Sequence, residues 1–201
     1  MKHSRSPFAA ILIATFTLIA QSVFAGDCLR LCDNEFWRKT LPRLDEVQSE
    51  LNKGADINGR GFGGQTPLHY AAKYSRPEII LFFVEQGARL EAGTADRQTG
   101  IGDRTPLHYA VHLSGRKAEN AVALIQSGAN VNARDNSGRT PLMLAVKRQN
   151  AEVVNILLDA GANAKLKTYF WKEIAFDHAR GKPEWIDHLS TYRRLKAASG
   201  E

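Results

Sequence analysis

The chain has 201 residues, 43% of them hydrophobic, and carries 27 Lys and Arg against 21 Asp and Glu, a net charge of +6. That length suits one domain with a sizeable core, and so mild a basic excess does not point to nucleic acid as a partner. Two cysteines cannot close a structural zinc site, which takes four ligands, and their C-x3-C spacing misses the C-x-x-C of thiol oxidoreductases.

Residues 1–25 read as a secretory signal peptide. Lys2 and Arg5 open it, Phe8–Ala20 is apolar and uncharged, and Val23 and Ala25 stand at the −3 and −1 places of a small-residue cleavage site. The apolar run is shorter than the roughly 20 residues that span a bilayer. An exported chain meets oxidising conditions, which favour pairing Cys28 with Cys32 as a small N-terminal staple; free thiols are the alternative.

The folded domain is expected over 26–197, with a tail at 198–201. One heptapeptide recurs in it: TPLHYAA from Thr66, TPLHYAV from Thr105 and TPLMLAV from Thr140. Threonine is a good N-cap and proline fits the first helical turn, where its missing N–H costs nothing, so each copy predicts a helix start. Leu68 and Ala71, like Leu107 and Ala110, fall on one narrow face. A second signal follows each: GADIN from Gly54, GARLE from Gly87, GANVN from Gly128 and GANAK from Gly161. A glycine there supplies the left-handed residue that ends a helix. The apolar stretches IILFFVEQ, AVALIQS and VVNILLDA lie between the two signals and predict a second helix in each unit.

Five units result, at about 28–58, 59–91, 100–132, 133–165 and 168–197. In the first, Asp33 is the expected N-cap, Leu44, Val47 and Leu51 form the apolar stripe of the second helix, and Phe36 and Trp37 are bulky where later copies are small. In the last, Ala175, Phe176 and Ala179 keep the skeleton, Pro183 is expected to start the second helix, and Trp185, Ile186 and Leu189 to line its inner face. Terminal units of a stack must cover its apolar ends and so depart from the common pattern. Between Gly87 and Thr105 the step is 18 residues, against 12 from Gly54 to Thr66 and from Gly128 to Thr140, which places an insertion loop at about 92–102.

The T-P-L-H-x-A motif with a period near 33 resembles the ankyrin repeat, and Asn132–Lys165 matches that pattern almost throughout. The resemblance implies an all-α solenoid of stacked helix-turn-helix units with short hairpin loops, about five repeats including degenerate terminal caps. It implies that His69 and His108 are structural hydrogen-bonding residues. It also implies protein binding by the hairpin tips and the exposed face of the first helices. Carried over position by position, the binding residues are Phe62, Gln65, Ile101, Arg104, Asn136, Ser137 and Arg139 at the hairpins. After the inner helices they are Lys73, Tyr74, His112, Leu113, Lys147 and Arg148. This set holds Lys and Arg but no Asp or Glu, together with apolar side chains that the repeat does not need for its core. Aromatic residues and Arg anchor interfaces, so a basic groove for an acidic partner is expected. On that view Arg104→Glu weakens binding and spares stability.

No catalytic, cofactor-binding or metal-binding residue is expected. His108 and His112 share a helix face but lack the Glu of H-E-x-x-H and a third ligand, and the Gly-rich NGRGFGG at 58–64 occupies a hairpin and reads as a tight turn. The expected function is a non-catalytic protein–protein interaction module, monomeric and located in the bacterial periplasm, acting as inhibitor, immunity or protective factor. The alternatives are a secreted effector that binds host proteins, a form tethered to the membrane by an uncleaved signal, and an enzyme with its site in the C-terminal cap around Asp177, His178 and Asp187.

Overall fold

The computed structural model describes residues 28–39, 41–95, 102–111, 118–180, 182 and 188–201. The expected signal segment, the site residues Ile101, His112 and Leu113, and the cap residues Pro183, Trp185, Ile186 and Asp187 lie outside the described residues, as does the side chain of Leu189. Among the described residues there are nine α-helices and no strand. They come in pairs: α1 (Asn34–Lys39) with α2 (Leu44–Asn52), α3 (Pro67–Tyr74) with α4 (Pro77–Glu85), α5 (Pro106–Ala110) with α6 (Ala118–Gln126), and α7 (Pro141–Lys147) with α8 (Ala151–Asp159). A 3-10 turn, Ala175–His178, stands before α9 (Leu189–Ser199). The first members stack on one another as an inner layer, and the second members as an outer layer. This is the all-α solenoid that the repeats imply.

Each inner helix α3, α5 and α7 starts at an extended threonine followed by proline. Leu68, Ala71, Leu107, Ala110, Leu142 and Ala145 are buried between layers, and the alanines let neighbouring helices approach closely. The outer helices contribute Ile80, Phe83, Leu124, Val154 and Leu157 to the same core. Gly54, Gly87, Gly128 and Gly161 follow the outer helices with φ between 83° and 94°, where a side chain is disfavoured.

Both end units depart from the pattern. Trp37 is fully buried, donates its ring N–H to the carbonyl of Leu31 at 2.8 Å and sets its edge on Phe83. Asp33 accepts from the N–H of Glu35 at 2.8 Å, capping α1 as expected. Val47 takes the core position of α2, but Leu44, expected in the same stripe, is 44% exposed. Cys28 and Cys32 are joined across a 3-10 turn, Leu29–Cys32, with Cα atoms 5.5 Å apart. At the other end α9 reaches Ser199, so residues 198 and 199 belong to the helix and not to the expected tail.

Between units the hairpins approach very closely. Ala95 N–H donates to Gly63, Asn136 N–H to Gly102 and Tyr169 N–H to Ser137, one bond per boundary. A Cβ on Gly64 would stand 2.5 Å from the nitrogen of Ala95, one on Gly138 2.7 Å from that of Tyr169, and one on Gly61 2.6 Å from the Cβ of Cys32. The last residue of each of the first three Gly motifs makes another tie: Asn58, Glu91 and Asn132 accept from the N–H of Arg89, Asn130 and Asn163 in the next unit. The insertion closes at its stem, where Asp103 N–H donates to Thr94 and Thr94 N–H to Arg104.

The repeated histidines are the deepest ties. His69 Nδ1 accepts from the N–H of Thr66 at 3.0 Å, which leaves the ring proton on Nε2; Nε2 donates to the Arg104 carbonyl of the next unit at 2.8 Å. His108 repeats the arrangement with Thr105 and the Arg139 carbonyl. Both rings are fully buried, and burial pushes each pKa down from the ordinary 6.5 to about 4. In the next copy Met143 replaces the histidine, and Thr140 alone caps the helix.

A buried carboxylate joins two hairpins. Asp135 accepts from the N–H groups of Ser137 and Arg139, from Arg139 Nε at 2.9 Å and from Arg104 Nε at 3.4 Å. Arg104 and Arg139 are only 13% and 21% exposed, so both guanidinium groups are structural. This overturns the expectation that Arg104→Glu spares stability, because the new carboxylate would face Asp135.

Two outcomes are expected. The unfolded chain binds protons at His69 and His108 below pH 6.5, whereas the folded chain does not until about pH 4. Stability is therefore full above pH 6.5, falls between 6.5 and about 4, and levels off below. The loss is on the order of 3 kcal/mol per histidine. Urea denaturation across this window checks it, and a flat profile refutes it. Asp135→Ala and Arg104→Glu are each expected to cost about 3 kcal/mol by uncompensating a buried charge; denaturation midpoints equal to that of the parent chain would show that the triad does not hold the hairpins.

A candidate protein-binding groove

The face expected to bind a partner is built from the C-terminal ends of the inner helices and the hairpins that precede them. Lys73 and Lys147 lie in the last turns of α3 and α7, and Arg148 is the residue that closes α7. Cations at these positions complement the negative end of each helix. Lys147 and Arg148 are exposed, while Lys73 is half-buried with its ammonium 4.9 Å above the Tyr74 ring. At the hairpins Phe62 is 81% exposed, and Gln65 reaches back to its carbonyl. Asn136 is exposed and Ser137 is half-buried.

Three of the expected binding residues have other duties. Arg104 and Arg139 are held by Asp135, which leaves Lys147 and Arg148 as the exposed cations of the groove, with Lys73 half-buried. Tyr74 packs on the core and lines a hollow of about 450 Å³ with Leu41, Pro42, Pro77 and Asn120, at the turn between the two helix layers. A neighbouring hollow of about 800 Å³ continues there along Leu44, Ile79 and Phe82. Neither contains a hairpin residue.

In the groove itself a cavity of about 200 Å³ opens between the fourth and fifth units. Met143, Leu144, Phe170 and Trp171 line it together with Arg139, Lys147, His178 and the acidic Glu173. It lies at the boundary where methionine has replaced the tying histidine. Burial lowers the pKa of His178, whose Nε2 is 3.9 Å from the Glu173 carboxylate. Such a site can seat one apolar side chain beside an acidic one.

Of the residues considered for chemistry in the C-terminal cap, Asp177 and His178 are among the described residues and Asp187 is not. Asp177 is exposed and accepts from the N–H of Ile174, capping the 3-10 turn, while His178 turns to Glu173. Among the described residues no cluster of His, Cys, Asp and Glu is arranged to hold a metal ion. The Gly-rich stretch at 58–64 forms a tight 3-10 turn at Phe62–Gly64, as expected.

Residue-by-residue transfer of the motif missed Tyr169, Phe170 and Trp171, which are 48%, 77% and 81% exposed. The readable signal was three consecutive aromatics at the hairpin place of the last unit. It was hidden because that unit lacks the T-P-L-H mark that locates the other hairpins.

Comparison with known proteins agrees with this geometry. A model of three ankyrin repeats matches residues 90–168, and a single-repeat ankyrin model matches residues 63–92. The human neurogenic locus notch homolog protein 2 is 38% identical over 120 residues, covering 51% of this chain and 4% of that protein. An ankyrin repeat protein of Rickettsia felis is 27% identical over 124 residues, covering 62% of this chain and 40% of the relative. Bovine protein fem-1 homolog A is 39% identical over 59 residues, 29% of this chain and 9% of its own. The chain thus spans less than half the length of each of these relatives. Repeated Thr-Pro helix starts, glycine-ended outer helices, histidine ties and two matching family models together establish that the chain belongs to the ankyrin repeat family.

Proposed function

We propose that this protein is a non-catalytic binding module of the bacterial periplasm that holds the acidic surface of another protein in its concave groove. Ankyrin repeats indicate a protein–protein interaction module. The observation that carries the finer reading is the cavity between Met143 and Trp171, with Lys147 on its rim and Lys73 and Arg148 on the same helix ends. An apolar seat beside cations suits an apolar side chain next to a carboxylate, and the field of the lysines speeds the encounter. The basic, apolar and small-residue order of 1–25 and the joined pair Cys28–Cys32 support an oxidising compartment outside the cytoplasm. A module of this kind acts by covering its partner's surface, as an inhibitor, an immunity factor or a protective factor.

The test exchanges Lys73, Lys147 and Arg148 for Glu and leaves Arg104 and Arg139, which hold the fold, in place. Parent and variant are offered the same periplasmic extract, and the retained proteins are identified by mass spectrometry. One protein held by the parent is expected to bind the variant at least about tenfold more weakly, with the parent's affinity falling as salt rises. Equal retention at unchanged thermal stability would overturn the groove assignment.

A further inference from the structure

We propose that the hairpin edge of the stack is a second interaction surface, which docks on an anionic lipid bilayer through Phe170 and Trp171. This docking requires no partner in the groove, although Phe170 and Trp171 also line the groove cavity.

The segment Lys-Leu-Lys-Thr-Tyr-Phe-Trp-Lys, 165–172, contains three lysines and three aromatics and no acidic residue. Lys165, Lys167 and Lys172 are all exposed, as are the three rings. Large apolar side chains that remain 77% and 81% exposed in a folded chain with a filled core mark a contact surface.

The loop that carries them is held still. Thr168 is buried, and its N–H donates to the Glu173 carbonyl, closing the loop at its base. Tyr169 N–H is tied to Ser137 of the preceding hairpin. The Arg134 guanidinium lies 4.4 Å from the centre of the Tyr169 ring and also donates to the carbonyl of Lys167. The two residues at the tip are thus presented by a fixed base, so little conformational freedom remains to be lost on docking. Their inner sides wall the groove cavity, and most of each ring remains open to solvent.

The same edge carries a second aromatic. Phe62 is 81% exposed and directly precedes Gly63, whose carbonyl bonds to the next hairpin. Ile101 holds the matching place before Gly102 in the sequence, although it lies outside the described residues. In the next hairpin this register position holds the polar Asn136 before Ser137, so Phe62 stands as a separate exposed aromatic on this edge.

The residue types favour lipid over a folded partner. Trp, Tyr and Phe settle at the boundary between headgroups and acyl chains, while flanking lysines extend to anionic phosphates. A protruding knob needs a matching socket on a protein, but a bilayer accepts it without one. Among the described residues no helix is long and apolar enough to cross a membrane, so the contact is peripheral.

The test uses the full chain and two kinds of vesicle: phosphatidylcholine alone, and three parts phosphatidylcholine to one part phosphatidylglycerol. Each is prepared with and without brominated acyl chains. Trp37 is buried, so a lipid-sensitive component of the emission is assigned by its loss in Trp171→Phe, which keeps the tip apolar. On anionic vesicles Trp171 is expected to shift to the blue and to be quenched by bromine, and added salt is expected to reverse both. The double variant Phe170→Ser, Trp171→Ser, with its circular dichroism unchanged, is expected to bind at least about tenfold more weakly. Lys147→Glu, in the groove, is expected to bind these vesicles like the parent. Unquenched Trp171 on anionic vesicles overturns the proposal and leaves the aromatics as anchors for a protein. Equal binding by the double variant also overturns it, since adsorption then runs through another segment such as Phe8–Ala20.

Discussion

The stack depends on a hydrogen bond that no unit can complete within itself. In His69 and His108 one ring nitrogen is occupied by the first turn of the residue's own helix, which leaves a single N–H aimed at the next unit's carbonyl. Helix start and unit spacing are therefore one interaction, and burial keeps the ring neutral so that the acceptor nitrogen remains an acceptor. An isolated unit would have an apolar face without cover and an imidazole without its second partner. Stacking satisfies both at once, which is why the heptapeptide recurs. Where Met143 stands this tie is absent, and the groove cavity opens at the same boundary.

Charge is partitioned by the same architecture. Arg139 meets the Asp135 carboxylate within its own hairpin, and stacking brings Arg104 of the preceding unit onto the same group. Two further groups of cations stand at the surface. Lys73, Lys147 and Arg148 lie at the C-terminal ends of the inner helices, and Lys165, Lys167 and Lys172 surround the last hairpin. A modest net charge thus conceals two local positive fields. The two adjoin at one cavity, which Met143 and Leu144 line together with Phe170 and Trp171.

The parts legible in the sequence are those whose physics is local. Thr-Pro fixes a helix start within four residues, a glycine fixes its end, and both recur at a regular step, so residue types and spacing alone locate α3 to α8. The roles of His69 and His108 follow from the family resemblance. What escapes a reading of the sequence depends on partners far along the chain. Arg104 reads as a groove cation until Asp135, 31 residues on, is found against it. Tyr74 reads as a groove aromatic until its ring is seen to face the turn between layers. Leu44 reads as core from its spacing, yet of that stripe Val47 is buried, Leu51 packs partly on the core and Leu44 is left outside. The aromatic hairpin at 169–171 escapes for the opposite reason, since the motif that would locate it has decayed there.

The glycines at the hairpin boundaries have a consequence for shape. At Gly64 and Gly138 the neighbouring unit's backbone occupies the space that a Cβ would need, so the hairpins meet backbone to backbone while the helices are separated by side chains. A methyl group at any of these points would act as a wedge on one edge only, fanning the stack open about its helical layer. The curvature of the surface presented to a partner is thus written in residues chosen for having nothing to present.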